Sequence, residues 1–352
     1  MSTATPLARL RTSGLLWPLV ALAALLAVNV AARPSFVSVT VRDGHLYGSL
    51  VDILRNGAPT LLVALGMTLV IATRGIDLSV GAIAAIAGAV ACTYIGASGD
   101  AGAAVVGMLL ALLLCAVLGV WNGFLVSVLG IQPIIATLVL MTAGRGLAML
   151  VTDGQIITVN NEAYSQVGAG FLVLPVSILI SLGVFAALAV LTRRTALGLL
   201  VESVGINPEA SRLAGVRSRT IVWTVYVFAA LCACVAGLMI TSNVNSTNAN
   251  SVGLWIELDA ILAVVIGGTS LAGGRFSLAG TLVGALVIQT LTTTVYNVGI
   301  PPQTIQVFKA AVVIAVCLMQ APKFRALLVR RRTPAAPAAA TPAPATSEAG
   351  PR

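Results

Sequence analysis

The sequence predicts an all-α fold: a polytopic membrane helix bundle of about ten transmembrane helices with both termini on the cytoplasmic side. Three observations predict it. Of the 352 residues, 58% are hydrophobic and 9% charged, and the mean hydropathy is +1.02, a composition that a domain with a hydrated surface does not reach. Apolar runs near the ~20 residues needed to cross a bilayer core follow one another along the chain. The basic residues then fall on alternate sides of those runs and set an orientation.

The runs begin near Leu15, Gly57, Leu78, Ala103, Ile131, Phe171, Ile221, Leu258, Leu278 and Thr304. The first, ending at Ala32, follows Arg9 and Arg11. It lacks a persuasive small-residue cleavage site and is long enough to span, so it reads as a retained helix. With the N-terminus inside, Arg193, Arg194, Arg212, Arg217, Arg219, Arg275 and the cluster Lys323, Arg325, Arg330, Arg331 and Arg332 are inside too. Arg33, Arg42 and Arg55 stay outside. The excess of 20 Lys+Arg over 11 Asp+Glu is therefore a matter of orientation, which argues against a nucleic-acid partner. The chain divides into a cytoplasmic segment 1–14, a transmembrane domain 15–320 with a cytoplasmic loop at 193–220, and a basic then Ala/Pro-rich tail 321–352 that is expected to be disordered.

Two external loops, Thr152 to Gly170 and Ser242 to Gly253, are polar with little charge. They suit a docking surface or pore mouth, and equally an ordinary hydrated connection. Small residues at helical spacing (Gly81, Ala84, Ala85 and Gly88; Gly280 and Gly284) allow close helix packing. The stretch Ile76-Asp77-Leu78-Ser79-Val80-Gly81-Ala82-Ile83 echoes Ile256-Glu257-Leu258-Asp259-Ala260-Ile261. These segments introduce the third and eighth helices, which run in opposite directions, as in an inverted repeat; chance similarity in a compositionally narrow chain is the other reading. Cys92, Cys115, Cys232, Cys234 and Cys317 lie in apolar runs as small hydrophobes, and no structural disulfide is expected.

Within the loop 193–220, the run from Asn207 to Gly215 has the grammar of a short helix. Asn207 is an N-cap, Pro208 suits the first turn, Glu209 complements the positive end of the dipole, and Gly215 terminates. A solvated loop helix would show the same signals. The surrounding sequence adds more: "GMTLVIATRGIDLSVGAIAAIAGA" from Gly66, "WNGFLV" from Trp121, "IQPIIATLVLMTAGRGLA" from Ile131, "ALGLLVESVGINPEASRLAGV" from Ala196 and "LDAILAVVIGGTSLAGGRFSLAGTLVGALVI" from Leu258.

With these motifs, in this order over most of the chain between Gly57 and Gln320, the sequence resembles the permease subunits of bacterial ABC sugar importers, the ribose/xylose/galactose-type branched permease family. The segment from Asp43 to Pro59 is most similar to the galactofuranose importers of that family. The resemblance implies a multi-pass protein of the bacterial inner membrane that forms the translocation path for a monosaccharide. It implies a periplasmic or extracellular sugar-binding protein that delivers the cargo, a cytoplasmic ABC ATPase that uses ATP, and a second permease, identical or paralogous. It also makes the helix at Asn207 to Gly215 the coupling helix, seated in a groove of the ATPase. The residues then expected at that contact are Glu202, Gly205, Asn207, Pro208, Glu209, Arg212, Leu213 and Gly215. Leu213 would supply apolar contact, and Glu202, Glu209 and Arg212 specificity at the rim. The chain has no G-x-x-x-x-G-K-[ST] phosphate loop, so it is not expected to be an enzyme or to bind a cofactor.

Candidates for the path are Asp77, Ser79, Trp121, Asn122, Gln132, Thr137 and Arg145. Arg145 stands inside a span, where an ionisable group is costly; holding helix carbonyls is its structural alternative. Trp121 and Asn122 would offer a sugar an aromatic face and an amide, although Trp121 also suits helix packing. Asp77 is expected to cap the third helix, with Ser79 a lining hydroxyl. Arg74 stands where the resembling family usually has glycine. An ion-coupled secondary transporter of a small polar solute would need acidic residues deep in the spans, and only Asp77, Glu257 and Asp259 come near. An intramembrane enzyme would need converging ligands or bases, but the only histidine, His45, stands alone in an external loop, and no metal site is expected.

Overall fold

The computed structural model describes residues 15–42, 44–98, 100 and 102–320. The expectations for the segments 1–14 and 321–352 lie outside the described residues. Among the described residues there are thirteen α-helices and two small antiparallel sheets. The long helices are α1 (Leu16–Ala32), α2 (Ser49–Ala72), α3 (Val80–Ser98), α4 (Ala103–Ser127), α5 (Pro133–Val151), α7 (Val176–Arg194), α10 (Ser218–Val244), α12 (Leu278–Val298) and α13 (Ile305–Gln320). Shorter ones are α6 (Glu162–Gly168), α8 (Leu197–Ile206), α9 (Pro208–Leu213) and α11 (Ile256–Ile266). Strands β1 (Thr40–Arg42) and β2 (His45–Tyr47) form a hairpin, while β3 (Ile157–Thr158) pairs with β4 (Ser246–Thr247) and ties two distant loops together.

Seven helices are long and apolar enough to cross a membrane: α2, α3, α4, α5, α7, α10 and α12. With α1, α11 and α13 they fill the ten places in the predicted series. Two places in the series depart from expectation for physical reasons, one in its start and one in its length. α2 begins at Ser49 instead of near Gly57, because Asp52, Arg55 and Asn56 make its first turns polar while leaving them helical; Asp52 lies in the first turn, where a carboxylate favours the helix dipole. The eighth span has only eleven helical residues, α11, too few at 1.5 Å each to cross a bilayer.

Helix α10 forms the centre, packed against α2, α3 and α4. Its contacts with small residues fix direction: Gly75 meets Tyr226, Ala84 meets Gly237, and Gly88 meets Thr241. α3 and α10 are therefore parallel. α2 and α12 are antiparallel, since Gly57 meets Gln289 while Thr68 and Thr281 share a hydroxyl hydrogen bond of 2.7 Å. Buried polar side chains are mostly satisfied within the bundle, as the absence of water from a hydrocarbon core requires. Asn29 of α1 donates to Thr294 Oγ1 at 2.6 Å and accepts from Asn297 Nδ2 at 2.8 Å, fastening α1 to α12.

Candidate functional site

Two non-helical stretches lead into helices, 73–79 before α3 and 245–255 before α11. The second does not remain at the surface. Thr247 lies beside Gly88, Ala249 and Val252 lie beside Arg145, and Gly253 lies beside Gly81 and Ala84. The segment thus descends along α3, and α11 continues in that direction to the level where the Gly274 amide donates to the Ala72 carbonyl at 2.8 Å. α11 runs opposite to α3, and the first turns of the two helices meet where the Glu257 carboxylate packs on Gly81. A side chain at position 81 would collide with that carboxylate. The echoing segments thus stand in inverted orientation at one crossing, the arrangement that interrupted helices give to transport sites.

Around this crossing the structure brings together Asp77, Ser79, Asn122 and Thr137. Asp77 Oδ1 accepts the Ser79 amide at 2.9 Å and the Ser79 hydroxyl at 2.6 Å. Ser79 Oγ in turn accepts from Asn122 Nδ2 at 2.8 Å. Thr137 Oγ1 receives the Leu78 amide at 3.2 Å and donates toward the Ile76 carbonyl at 3.3 Å, tying α5 to the same turn. Asp77, Ser79, Asn122 and Thr137 are all buried. Two polar atoms here have no hydrogen-bond partner, Asn122 Oδ1 and Glu257 Oε2, and an unmet buried acceptor costs about 1–3 kcal/mol.

Arg145 sits one layer away and donates through Nη1 to the carbonyls of Ala249, at 2.9 Å, and Val252, at 2.6 Å. It therefore holds the unwound strand by backbone acceptors. Trp121 and Gln132 are not part of the cluster. Trp121 projects from the exposed face of α4, about a hundred degrees round the helix from Asn122, and Gln132 is exposed at the N-cap of α5. Glu257 is the residue that the candidate set missed; its signal was its place in the internal echo.

The loop helix forms as its capping pattern predicts. Asn207 Oδ1 accepts the amides of Glu209 and Ala210 at 3.1 and 3.0 Å, Pro208 opens the helix, and Gly215 adopts φ +83°. Glu209 and Arg212 pair at 2.7 Å across one exposed turn, and that carboxylate raises the Arg212 guanidinium above its ordinary value. Leu213 is 79% exposed and Leu199, on α8, is 71% exposed. α8 is seated by Gly205, where a side chain would collide with the Ala72 carbonyl, and by Arg74, which donates to the Ile206 carbonyl. Glu202 lies beside Arg193 and Ser277 in a cleft of about 370 Å³. Arg74 thus has a local task, pinning the turn after α2 to α8.

These features define a membrane transport permease whose short helix α9 is exposed on the face where α2 ends. The chain matches, over residues 49–317, the family described as branched-chain amino acid transport system / permease component, and it belongs to that family. It is 48% identical to the galactofuranose transporter permease protein of Escherichia coli K12 over 93% of this chain and 95% of that one. It is 39% identical to the fructose import permease protein of Bifidobacterium longum over 91% of each chain. It is 36% identical to the ribose import permease protein of Bacillus subtilis, over 88% of this chain and 93% of that one. No solved structure matches the chain.

Proposed function

We propose that this chain is the membrane-spanning permease subunit of an ATP-driven importer in the bacterial inner membrane, and that it passes a monosaccharide of the galactofuranose type. The observation that carries the reading is similarity along nearly the full length of three sugar permeases, greatest for the galactofuranose permease among those three. The family description names branched-chain amino acids. The relatives' names, and a crossing rich in hydroxyl and amide groups, favour a neutral polyol over a zwitterion.

In this reading the face bearing α8 and α9 is cytoplasmic and docks on an ABC ATPase subunit. Leu213 enters an apolar groove, and Glu202, Glu209 and Arg212 select the partner at the rim, while Asn207, Pro208 and Gly215 shape the helix. Gly205 transmits its movement directly to the end of α2. The path runs past the crossing, with Asp77, Ser79, Asn122, Thr137 and Arg145 as its buried wall. Trp121 and Gln132, exposed on the bundle's flank, face a second permease copy that completes it. A binding protein presents the sugar on the opposite face. The test is uptake of labelled galactofuranose into proteoliposomes that hold permease, ATPase and binding protein. ATP-dependent accumulation is expected, and its absence with an active ATPase would overturn the substrate assignment.

A further inference from the structure

Glu257 opens α11, Arg145 stands on α5, and the first turns of α3 bring the two together. A Cβ at Gly144 would stand 3.2 Å from Ala82 Cβ, and one at Gly81 would stand 2.3 Å from Glu257 Oε2. Gly81 also faces the Gly253 carbonyl, next in the chain to the Val252 carbonyl that Arg145 holds. Each charge acts on the other across this short gap, yet they do not pair. The ion pairs among the described residues are Arg212 with Glu209 and Lys309 with Asp259. Both groups therefore have capacity to spare. Glu257 is 5% exposed, and its Oε2 has no hydrogen-bond partner. Arg145 donates through Nη1 alone, and its Nε and Nη2 bond no described residue. An ionised carboxylate held in the bundle without a partner is costly, and a guanidinium with free donors is the group that relieves it. Complementary groups that neighbour without meeting in one arrangement are suited to meet in another. What separates them is the set of bonds by which Arg145 holds the non-helical stretch 245–255.

We propose that Glu257 is a positioning residue of the transport cycle: when the crossing opens, the Arg145 guanidinium leaves the Ala249 and Val252 carbonyls for the Glu257 carboxylate. The inference rests on the permease reading. The exchange frees the stretch 245–255 to move while α5 becomes tethered to α11. It replaces two carbonyl bonds by a charge-assisted pair, so the guanidinium keeps partners in both arrangements. Differential binding by the ATPase then shifts the population from one to the other.

The test uses the complete importer, permease with ATPase and binding protein. Hydrogen exchange is read in nanodiscs, and ATP-driven uptake of labelled galactofuranose, fructose and ribose in proteoliposomes. In the wild type, exchange across 248–253 is expected to rise about tenfold or more when the ATPase is trapped with ATP and vanadate, because Arg145 releases its carbonyls. Glu257→Gln keeps the shape and removes the charge, so the rise should shrink to within about twofold and uptake should fall about tenfold or more. Its thermal midpoint should stay unchanged or climb, since an unpaired buried charge is gone. Glu257→Asp keeps the charge and should keep the rise, which separates loss of charge from misfolding. No rise in the wild type, or uptake by Glu257→Gln within about twofold of wild type, would overturn the proposal. A lowered midpoint in Glu257→Gln with the rise intact would overturn it too and leave Glu257 a packing group. Failure of the wild-type complex to take up any of the three sugars would instead strike at the permease reading.

Discussion

Asp259 of α11 and Lys309 of α13 form a buried ion pair, with Nζ 2.6 Å from Oδ2 and 2.9 Å from Oδ1. The side chains are 18% and 9% exposed, respectively. The pair fastens the short helix that follows the unwound stretch to the last helix of the bundle. Removing one partner leaves an uncompensated charge, at a cost of about 3–5 kcal/mol, whereas replacing both by apolar groups can be nearly neutral. Lys309→Met and Asp259→Leu should each lower the thermal midpoint of the detergent-solubilised permease, and the double variant should recover most of the loss. Additive losses in that double-mutant cycle would contradict a direct pair.

Arg145 acts on the backbone of residues 249–252. Arg145→Ala should raise hydrogen exchange across 248–253 by about tenfold or more, since two charge-assisted bonds are worth about 1.5–3 kcal/mol each. Uptake should fall with it. If uptake falls while exchange stays unchanged, Arg145 touches cargo instead of holding the strand.

Glycines separate into two groups by their surroundings. Gly205→Ala drives a methyl into the Ala72 carbonyl and toward the Gly274 amide, and should cost on the order of 2–4 kcal/mol, the range of severe overpacking. Gly183→Ala in α7 meets nothing within 4 Å and should be neutral or stabilising by up to about 1 kcal/mol. Thermal denaturation of the two variants checks the contrast.

Asp77 closes the turn before α3, one of its oxygens serving Ser79 twice. Asp77→Asn keeps an acceptor there, so uptake should remain within about twofold; Asp77→Ala leaves buried Ser79 donors unmet and should cost about 1–3 kcal/mol. A large loss of uptake in Asp77→Asn at normal expression would assign the carboxylate a direct role.

The sequence made these features legible to different degrees. Helix α9 was readable because capping is decided within four residues: Asn207, Pro208 and Gly215 carry their own instructions. The order of membrane segments was readable because apolar length is a one-dimensional property. The stretch 245–255 read as an external loop because its asparagines and serines are hydrophilic; its descent depends on Arg145, about a hundred residues earlier, meeting its carbonyls. Asp259 and Lys309 are likewise joined by tertiary packing, with no local signal, as are Asn29, Thr294 and Asn297. Asp77 read as the cap of α3, but its carboxylate bonds only Ser79, whose own carbonyl accepts the first helical amide, from Ile83, so Asp77 shapes the turn that leads into the helix; Asn122 joined them only through the crossing of α4 with the 73–79 turn. Trp121 read as Asn122's companion by adjacency, but neighbours on a helix face different ways.

The proposed coupling surface tests the central claim most directly. In proteoliposomes with the ATPase and binding protein, the hydrolysis-to-transport ratio of Glu209→Arg should be compared with wild type. The substitution sets two positive charges in one exposed turn where an ion pair stood. ATP-driven uptake is expected to fall about tenfold or more, with normal membrane insertion and an unchanged thermal midpoint. Wild-type uptake by Glu209→Arg, or uptake driven by a proton gradient without ATP, would contradict the account.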